Sequence, residues 1–388
     1  MNIINGHVLT DQWTFEPLDL VVEKDRIADL NPHQQKLETK AAQGTEATFD
    51  ASGLLVIPGL FDIHIHACAG HDFCDADPAG MAAIAHHLAS RGITSFLGTS
   101  MALDEARLAQ VFEAGYQVIQ SNHSAGATLR GIHMEGPFFA VAKKGAQAAD
   151  FIIDPDVELF KRLEVAAGHQ IRIVDVAPER PGALELVSYA APHTTVSLAH
   201  TEANYLQATA AFMAGASHVT HLFNAMPPFN HRDPGVVGAA SDAGASVELI
   251  CDGVHIHPSV IRSVFNWFPA DKIVLVSDAM RACGLADGTY DLGGQAVRVQ
   301  GNRATLADGT LAGSVTDLMQ GLRNAVRFGV PLIAAVRAAT DNQARVARLN
   351  HEVGSLSIGK KADLLVITQD LTIKAVMIGG QFHPVASV

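Results

Sequence analysis

The run Phe61-Asp62-Ile63-His64-Ile65-His66 sets two imidazoles two positions apart among apolar residues. In an extended strand successive side chains take opposite faces, so Asp62, His64 and His66 are expected on one side and Phe61, Ile63 and Ile65 on the other. Two imidazoles pointing together form a metal-binding pair. Polar strand residues facing water are the plainer alternative, disfavoured by the apolar partners and by the small-residue loop that follows.

Four more such groups stand at the ends of apolar runs. Glu135 ends Ile132-His133-Met134-Glu135, His200 ends Val196-Ser197-Leu198-Ala199-His200, His221 ends His218-Val219-Thr220-His221, and Asp278 ends Val274-Leu275-Val276-Ser277-Asp278. Singly, each reads as a strand-end polar residue or a helix cap. Together they match the needs of hydrolysis at an unactivated bond. A divalent ion held by imidazoles and a carboxylate lowers the pKa of its water to roughly 7. A carboxylate left off the ion, or weakly attached to it, moves a proton from that water to the leaving group. Asp278 is the candidate for that proton carrier, with a plain metal ligand as its alternative. Imidazole and carboxylate suit several divalent ions: Zn2+ is expected, with Fe2+ or another divalent ion as alternatives.

Such a set is useful only if the fold gathers strand ends from residue 64 to residue 278. Eight apolar runs follow residue 58: Leu60 to Ile65, Ile93 to Leu97, Leu129 to Met134, Ile171 to Val176, Thr194 to Leu198, Ser217 to Thr220, Ser246 to Ile250 and Ile273 to Val276. Between them lie stretches of helical spacing, among them Gly80 to Ser90, Leu103 to Ile119, Val157 to Ala167, Ala203 to Ala214 and Ser259 to Phe268. Eight strand-helix units predict an α/β fold of the TIM-like (β/α)8 barrel kind, whose functional residues sit at the C-terminal ends of the strands. An open doubly wound sheet is the alternative. Tyr290 to Leu306 is expected as a β-hairpin and Val315 to Phe328 as a last helix. The ends of the chain, 1–57 and 350–388, carry short strands and are expected to pair into a small β-sandwich domain beside a barrel spanning 58–349.

Composition narrows the function classes. The chain has 388 residues, 48% hydrophobic and 17% charged, enough for one large core and a small one. Its net charge of −13 disfavours a nucleic-acid footprint but leaves room for a small anionic ligand held by one or two cations. No membrane-spanning or leader segment is read, so a cytoplasmic location is expected. Four scattered cysteines, Cys68, Cys74, Cys251 and Cys283, are read as reduced thiols.

Weaker signals remain. His255 or His257, after the seventh run, should reach the same face, or stand as a loop histidine without a role. Arg232, after the sixth run, could pair a substrate anion or simply Asp233. Gly354 to Lys361 nearly spells a phosphate-binding loop, but Lys361 replaces the Ser or Thr and no helix follows, so a turn is expected. His7, His33, His86, His87, His123, His169, His193, His231, His351 and His383 are read as surface or structural.

The motifs His64-Ile65-His66, Glu135-Gly136-Pro137-Phe138, Lys143-Lys144-Gly145-Ala146-Gln147, Thr220-His221-Leu222-Phe223-Asn224-Ala225-Met226, Asp252-Gly253-Val254-His255, Ser277-Asp278-Ala279 and Leu311-Ala312-Gly313-Ser314 resemble, in order and along the whole chain, the N-acetylglucosamine-6-phosphate deacetylases, a family of amidohydrolases. The resemblance implies hydrolysis of a phosphorylated N-acetyl amino sugar to the free amine and acetate. It implies that Glu135, His200 and His221 hold the principal metal, that Asp278 is the acid/base, and that His64 and His66 take a second ion bridged by Glu135. It places Asn224 and Ala225 near the substrate phosphate, with Arg232 and His255 as the side chains that fix it, reaching across the interface of a homodimer. The chain departs from the family's usual Gly-His-Ser around the fifth-run ligand, with Ala199-His200-Thr201, and its loop after His66 reads Ala67-Cys68-Ala69-Gly70.

Three alternatives stand beside this reading. One is an N-acetylgalactosamine-6-phosphate deacetylase. Another is a cyclic-amide hydrolase, disfavoured because the fourth run ends in Val176-Ala177-Pro178-Glu179 without the lysine such enzymes modify. The third, of a different class, is an inactive barrel serving as an assembly protein, disfavoured because all six candidate metal and acid/base residues are present.

Overall fold

The structure, a computed structural model, describes residues 1–32, 47–121 and 126–386. His33, His123 and most of the polar stretch before Ala47 lie outside them. Eight parallel strands hydrogen-bond in chain order: β1 (Leu60–Ile65), β2 (Ile93–Thr99), β3 (Thr128–Met134), β4 (Ile171–Val176), β5 (Thr195–Leu198), β6 (His218–Val219), β7 (Ser246–Ile250) and β8 (Ile273–Val276). Every residue of β1, β2, β5, β7 and β8 is buried, as expected for strands covered on both faces. Alternation in β8 separates those faces: Ile273 and Leu275 join the large core shared with the helices, while Val274 and Val276 join a second cluster with Phe61, Ile63, Leu97, Ile173 and Ile250 inside the barrel. The five expected helices are present within two residues at each end, and two more, Ala183–Ala190 and Gly235–Ala243, complete the outer layer.

The barrel closes between β1 and β8 through backbone bonds near its mouth and a buried side chain deeper in. Near its mouth, Asp278 N donates to His64 O (2.9 Å) and His66 N to Ala279 O (3.1 Å). Deeper, Gln343 takes the place of a strand pairing: its Oε1 accepts from Ile63 N at 2.9 Å and its Nε2 donates to Leu275 O. Gln343 is fully buried, so Gln343→Ala leaves a donor and an acceptor without partners or water. At about 1–3 kcal/mol for each orphaned group, the variant is expected to lose roughly 2–6 kcal/mol, read as a lower urea midpoint with an unchanged slope. A midpoint equal to that of the parent would show that the seam closes without this amide.

The two ends of the chain meet in one sheet. Leu55–Pro58 pairs antiparallel with Leu364–Ile367, joining Asn2–Leu9, Phe15–Glu23 and Arg26–Pro32 on one side to Ile373–Ile378 and Gln381–His383 on the other. This sheet has its own apolar cluster, which includes Ile3, Val8, Leu20, Val56, Leu364 and Met377. The expected hairpin after β8 is a three-stranded meander, Gly288–Leu292, Gln295–Gln300 and Arg303–Thr305. The last expected helix starts later than read, at Leu318, because Asp317 caps it by accepting from Gln320 N at 2.7 Å. Gly354 to Lys361 is a turn, with Lys361 paired to Asp25 at 2.6 Å.

Candidate active site

Glu135, in the first turn after β3, is the centre on which the other strand ends converge. His200 Nε2 and His221 Nε2 lie 3.1 and 3.2 Å from Glu135 Oε1 and 3.1 Å from each other. On the other side, His66 Nε2 is 3.3 Å from Glu135 Oε2, and His64 Nε2 is 3.7 Å from Glu135 Oε1. Asp278 Oδ1 closes the ring at 3.3 Å from His66 Nε2 and 3.6 Å from His64 Nε2. All six residues are buried. Three of them sit where the backbone leaves its strand in the left-handed region: His200 at φ +44°, His221 at +31° and Asp278 at +48°. For residues with a Cβ that conformation costs roughly 1–3 kcal/mol each. The turn takes each side chain off the strand's alternation and aims it over the barrel mouth.

Asp62, expected on the face shared by His64 and His66, is not in this cluster. From Asp62 to Ile65 the strand advances three residues while its partner β2 advances two, Phe96 to Gly98. The extra residue is a bulge, and it breaks the strict alternation that the sequence reading assumed. Asp62 Oδ1 accepts from His64 N (3.3 Å) and Ser277 N (3.4 Å) instead, and burial pushes its carboxyl up to about 7.

The donor set fits a divalent cation. His64 Nε2, which faces Glu135 and Asp278, is a buried ring nitrogen without a hydrogen-bond partner. Two imidazole nitrogens 3.1 Å apart that share one carboxylate oxygen are the arrangement of ligands to a common ion. Atoms able to hold an ion fall into three groups, Glu135 with His200 and His221, Glu135 with His64 and His66, and, deeper, His64 with His133 and Glu248, each within 4.8 Å. Burial opposes ionisation of Glu135, but hydrogen bonds from His200 and His221 and the neighbouring His64 and His66 outweigh it and hold the carboxyl well below its ordinary value. Burial likewise opposes ionisation of Asp278, and the imidazoles of His64 and His66 outweigh it there.

A supporting layer fixes these side chains, and sequence reasoning passed over most of it. His200 Nδ1 donates to Lys143 O (2.8 Å), and its ring stacks on Phe139 at 4.4 Å. Gln147 Nε2 donates to Glu135 Oε2 (2.8 Å) while its Oε1 accepts from Ala102 N (2.7 Å). Below, inside the barrel, His64 Nδ1 meets Glu248 Oε2 at 2.8 Å, and His133 Nε2 meets Asp175 Oδ1 at 3.1 Å. His133 and His218 stand in the quoted runs, but an alternating buried polar residue in a strand gives no sign of which groups it will meet across the barrel. Thr201, at the departure noted beside His200, donates its hydroxyl to Glu179 Oε2.

The cleft above the cluster has a volume of about 510 Å³. Asn224, Ala225, His255, Met101 and Leu292 line it, and Lys143 and Lys144 add two cations at its wall. His255 Nδ1 is held by Asp252 Oδ2 at 2.7 Å. His257 is exposed and instead accepts from Ser259 N at the start of the helix Pro258–Trp267. Arg232 is exposed on the turn between Asn230 and Asp233 and does not line this cleft. The four cysteines are unpaired thiols.

The profile of the amidohydrolase family matches residues 55–382. The chain is 38% identical over 324 residues to the N-acetylglucosamine-6-phosphate deacetylase of Bacillus subtilis (strain 168), covering 82% of each chain. It is 34% identical over 332 residues to the N-acetylgalactosamine-6-phosphate deacetylase of Escherichia coli O157:H7, covering 84% of this chain and 87% of that one. In fold it is similar to a variant of N-acetyl-D-glucosamine-6-phosphate deacetylase from Mycobacterium smegmatis in complex with N-acetyl-D-glucosamine-6-phosphate, with a TM-score of 0.89 and 31% identity over 98% of both chains.

Proposed function

The chain belongs to the amidohydrolase family, and from that premise we propose that it hydrolyses N-acetyl-D-glucosamine 6-phosphate to D-glucosamine 6-phosphate and acetate, a step of amino-sugar catabolism. The observation that carries the reading is the convergence of five ligand side chains and Asp278 at the mouth of the barrel. The enzyme is metal-dependent. Glu135, His200 and His221 would hold the principal ion, and His64 and His66, with Glu135 bridging, a second. Zinc is the ion we assign, since imidazole and carboxylate are among its ordinary ligands. Such an ion polarises the acetamide carbonyl and acidifies water at neutral pH.

The protein's own part is positioning and proton transfer. The Asp278 carboxylate takes a proton from the attacking water and delivers it to the sugar nitrogen as the C–N bond breaks, so that a neutral amine and acetic acid leave, the acid giving up its remaining proton to solvent as acetate. Gln147 and Lys143 hold Glu135 and His200 in place during this exchange. Asn224, Ala225 and His255, which line the same cleft, receive the phosphate. Arg232 lies outside its own cleft, near the exposed Phe229, whose ring packs on the exposed Trp267 at 5.5 Å. That placement supports a homodimer in which Arg232 serves the neighbouring subunit's phosphate. No helix among the described residues is long and apolar enough to cross a membrane, and we place the enzyme in the cytoplasm with its sugar-phosphate substrate.

A substrate panel tests the reading. Amine release from N-acetylglucosamine 6-phosphate is expected to exceed that from unphosphorylated N-acetylglucosamine by roughly 10–150-fold in kcat/KM, the worth of one charge-assisted hydrogen bond of about 1.5–3 kcal/mol. Equal turnover of both sugars would remove the phosphate from the recognition scheme. Faster turnover of N-acetylgalactosamine 6-phosphate would move the chain to the epimeric activity of its Escherichia coli relative. A chelator should abolish amine release, and added zinc should restore it. No release from any acylated sugar, with no bound ion, would favour an inactive assembly protein.

A further inference from the structure

Among the described residues, Glu248 is the one carboxylate that touches both halves of the histidine cluster without reaching the cleft. It stands in the middle of β7 with no exposed surface. Its Oε2 faces His64 Nδ1 at 2.8 Å and accepts from His221 N at 3.0 Å, and its Oε1 faces His218 Nε2 at 3.2 Å. His218 is fixed in turn, with Nδ1 at 2.8 Å from Ser246 Oγ. Both oxygens of Glu248 are therefore engaged, and the carboxylate cannot turn without abandoning a buried donor.

We propose that Glu248 is the positioning residue for the His64 arm of the metal centre: by holding the proton on His64 Nδ1 it leaves Nε2 as the ligand atom, and so governs whether the His64–His66 side of Glu135 retains an ion. The inference rests on the two-ion reading given above. A histidine donates through one ring nitrogen and ligates through the other, and the partner of the first decides which is which. His64 Nε2 is the nitrogen without a hydrogen-bond partner, and it points between Glu135 Oε1 at 3.7 Å and Asp278 Oδ1 at 3.6 Å. Flipping the ring would turn a C–H bond onto Glu248. His133 packs edge-on against the ring with centroids 4.7 Å apart, which further limits its rotation. His66 has no such carboxylate, only the carbonyl of Thr99 at 3.3 Å from its Nδ1. The ligand strength of this side therefore depends on the pairing of His64 with Glu248.

The test is zinc binding to the metal-free full chain and to Glu248→Gln and Glu248→Ala, read as the affinity of each successive ion. Wild type is expected to take two ions per chain. Both variants should weaken the second by about 10–100-fold, Glu248→Ala more than Glu248→Gln, and the first by less than the second, through the lost bond to His221 N alone. Unchanged affinity for the second ion in folded variants overturns the proposal, and so does equal weakening of both, which would make Glu248 a prop of the barrel alone. A second readout needs no variant at this position: in zinc-loaded, histidine-labelled wild type, nitrogen NMR should show His64 protonated on Nδ1, the signal being assigned by its loss in His64→Asn. A proton on Nε2 overturns the proposal even if the Glu248 variants fail to fold. Uptake of a single ion by wild type would end both the two-ion reading and this inference. Retained amine release by that one-ion protein would show that the deacetylase reading survives them.

Discussion

Asp278→Asn is expected to fold, keep its metal and lose about 10²–10⁴-fold in kcat. The substitution preserves shape and removes only the ability to carry a proton. Asp278 sits at φ +48°, and asparagine tolerates the left-handed region better than most residues, so the turn after β8 should form as before. The backbone bonds of that turn, Asp278 N to His64 O at 2.9 Å and Ser314 N to Asp278 O at 2.7 Å, do not involve the side chain. Thermal unfolding and metal content measured beside turnover separate the outcomes. Full activity would remove Asp278 from the proton path. Activity and metal lost together would make it a ligand, the alternative left open by its 3.3 Å approach to His66.

The strand-end residues were legible in the sequence because a parallel barrel imposes one rule on all of them: whatever ends an apolar run lands at the same mouth. Glu135, His200, His221 and Asp278 follow it despite coming from four different strands. The first strand was less transparent. Period-two alternation assumes regular pairing, and the bulge before Ile65 removed Asp62 from the shared face while leaving His64 and His66 on it. The inner layer of Glu248, His218, His133 and Asp175 was hidden for another reason. Each stands inside an apolar run, where one polar residue has no reading until the residue across the barrel is known. Gln343 was hidden likewise, since its partners Ile63 and Leu275 are remote in the chain. The small sheet was accessible because both ends of the chain alternate apolar and polar residues and lie outside the barrel's count of eight.

Glu135→Gln should have the second large effect, of a different kind from that of Asp278→Asn. Glu135 belongs to two of the three candidate groups, the two at the barrel mouth, so one substitution should weaken both positions proposed for an ion. Breaking a buried charge pairing costs about 3–5 kcal/mol, which corresponds to roughly 10²–10⁴-fold in affinity. The glutamine has one acceptor oxygen where the parent has two: presenting it to Gln147 Nε2, which lies 2.8 Å from Glu135 Oε2 in the parent, turns its NH2 toward His200 and His221. His200→Ala is expected to lose the principal ion through the same loss of a ligand, whereas His66→Ala should keep it, because His66 meets Glu135 only on the other side. The discriminating measurement is activity against zinc concentration. Glu135→Gln should recover turnover as free zinc rises, since its defect is occupancy, while Asp278→Asn should stay slow at every concentration, since its defect is proton transfer. If Glu135→Gln instead holds its ions through dialysis as firmly as the parent, Glu135 is not the residue that joins the two halves of the site.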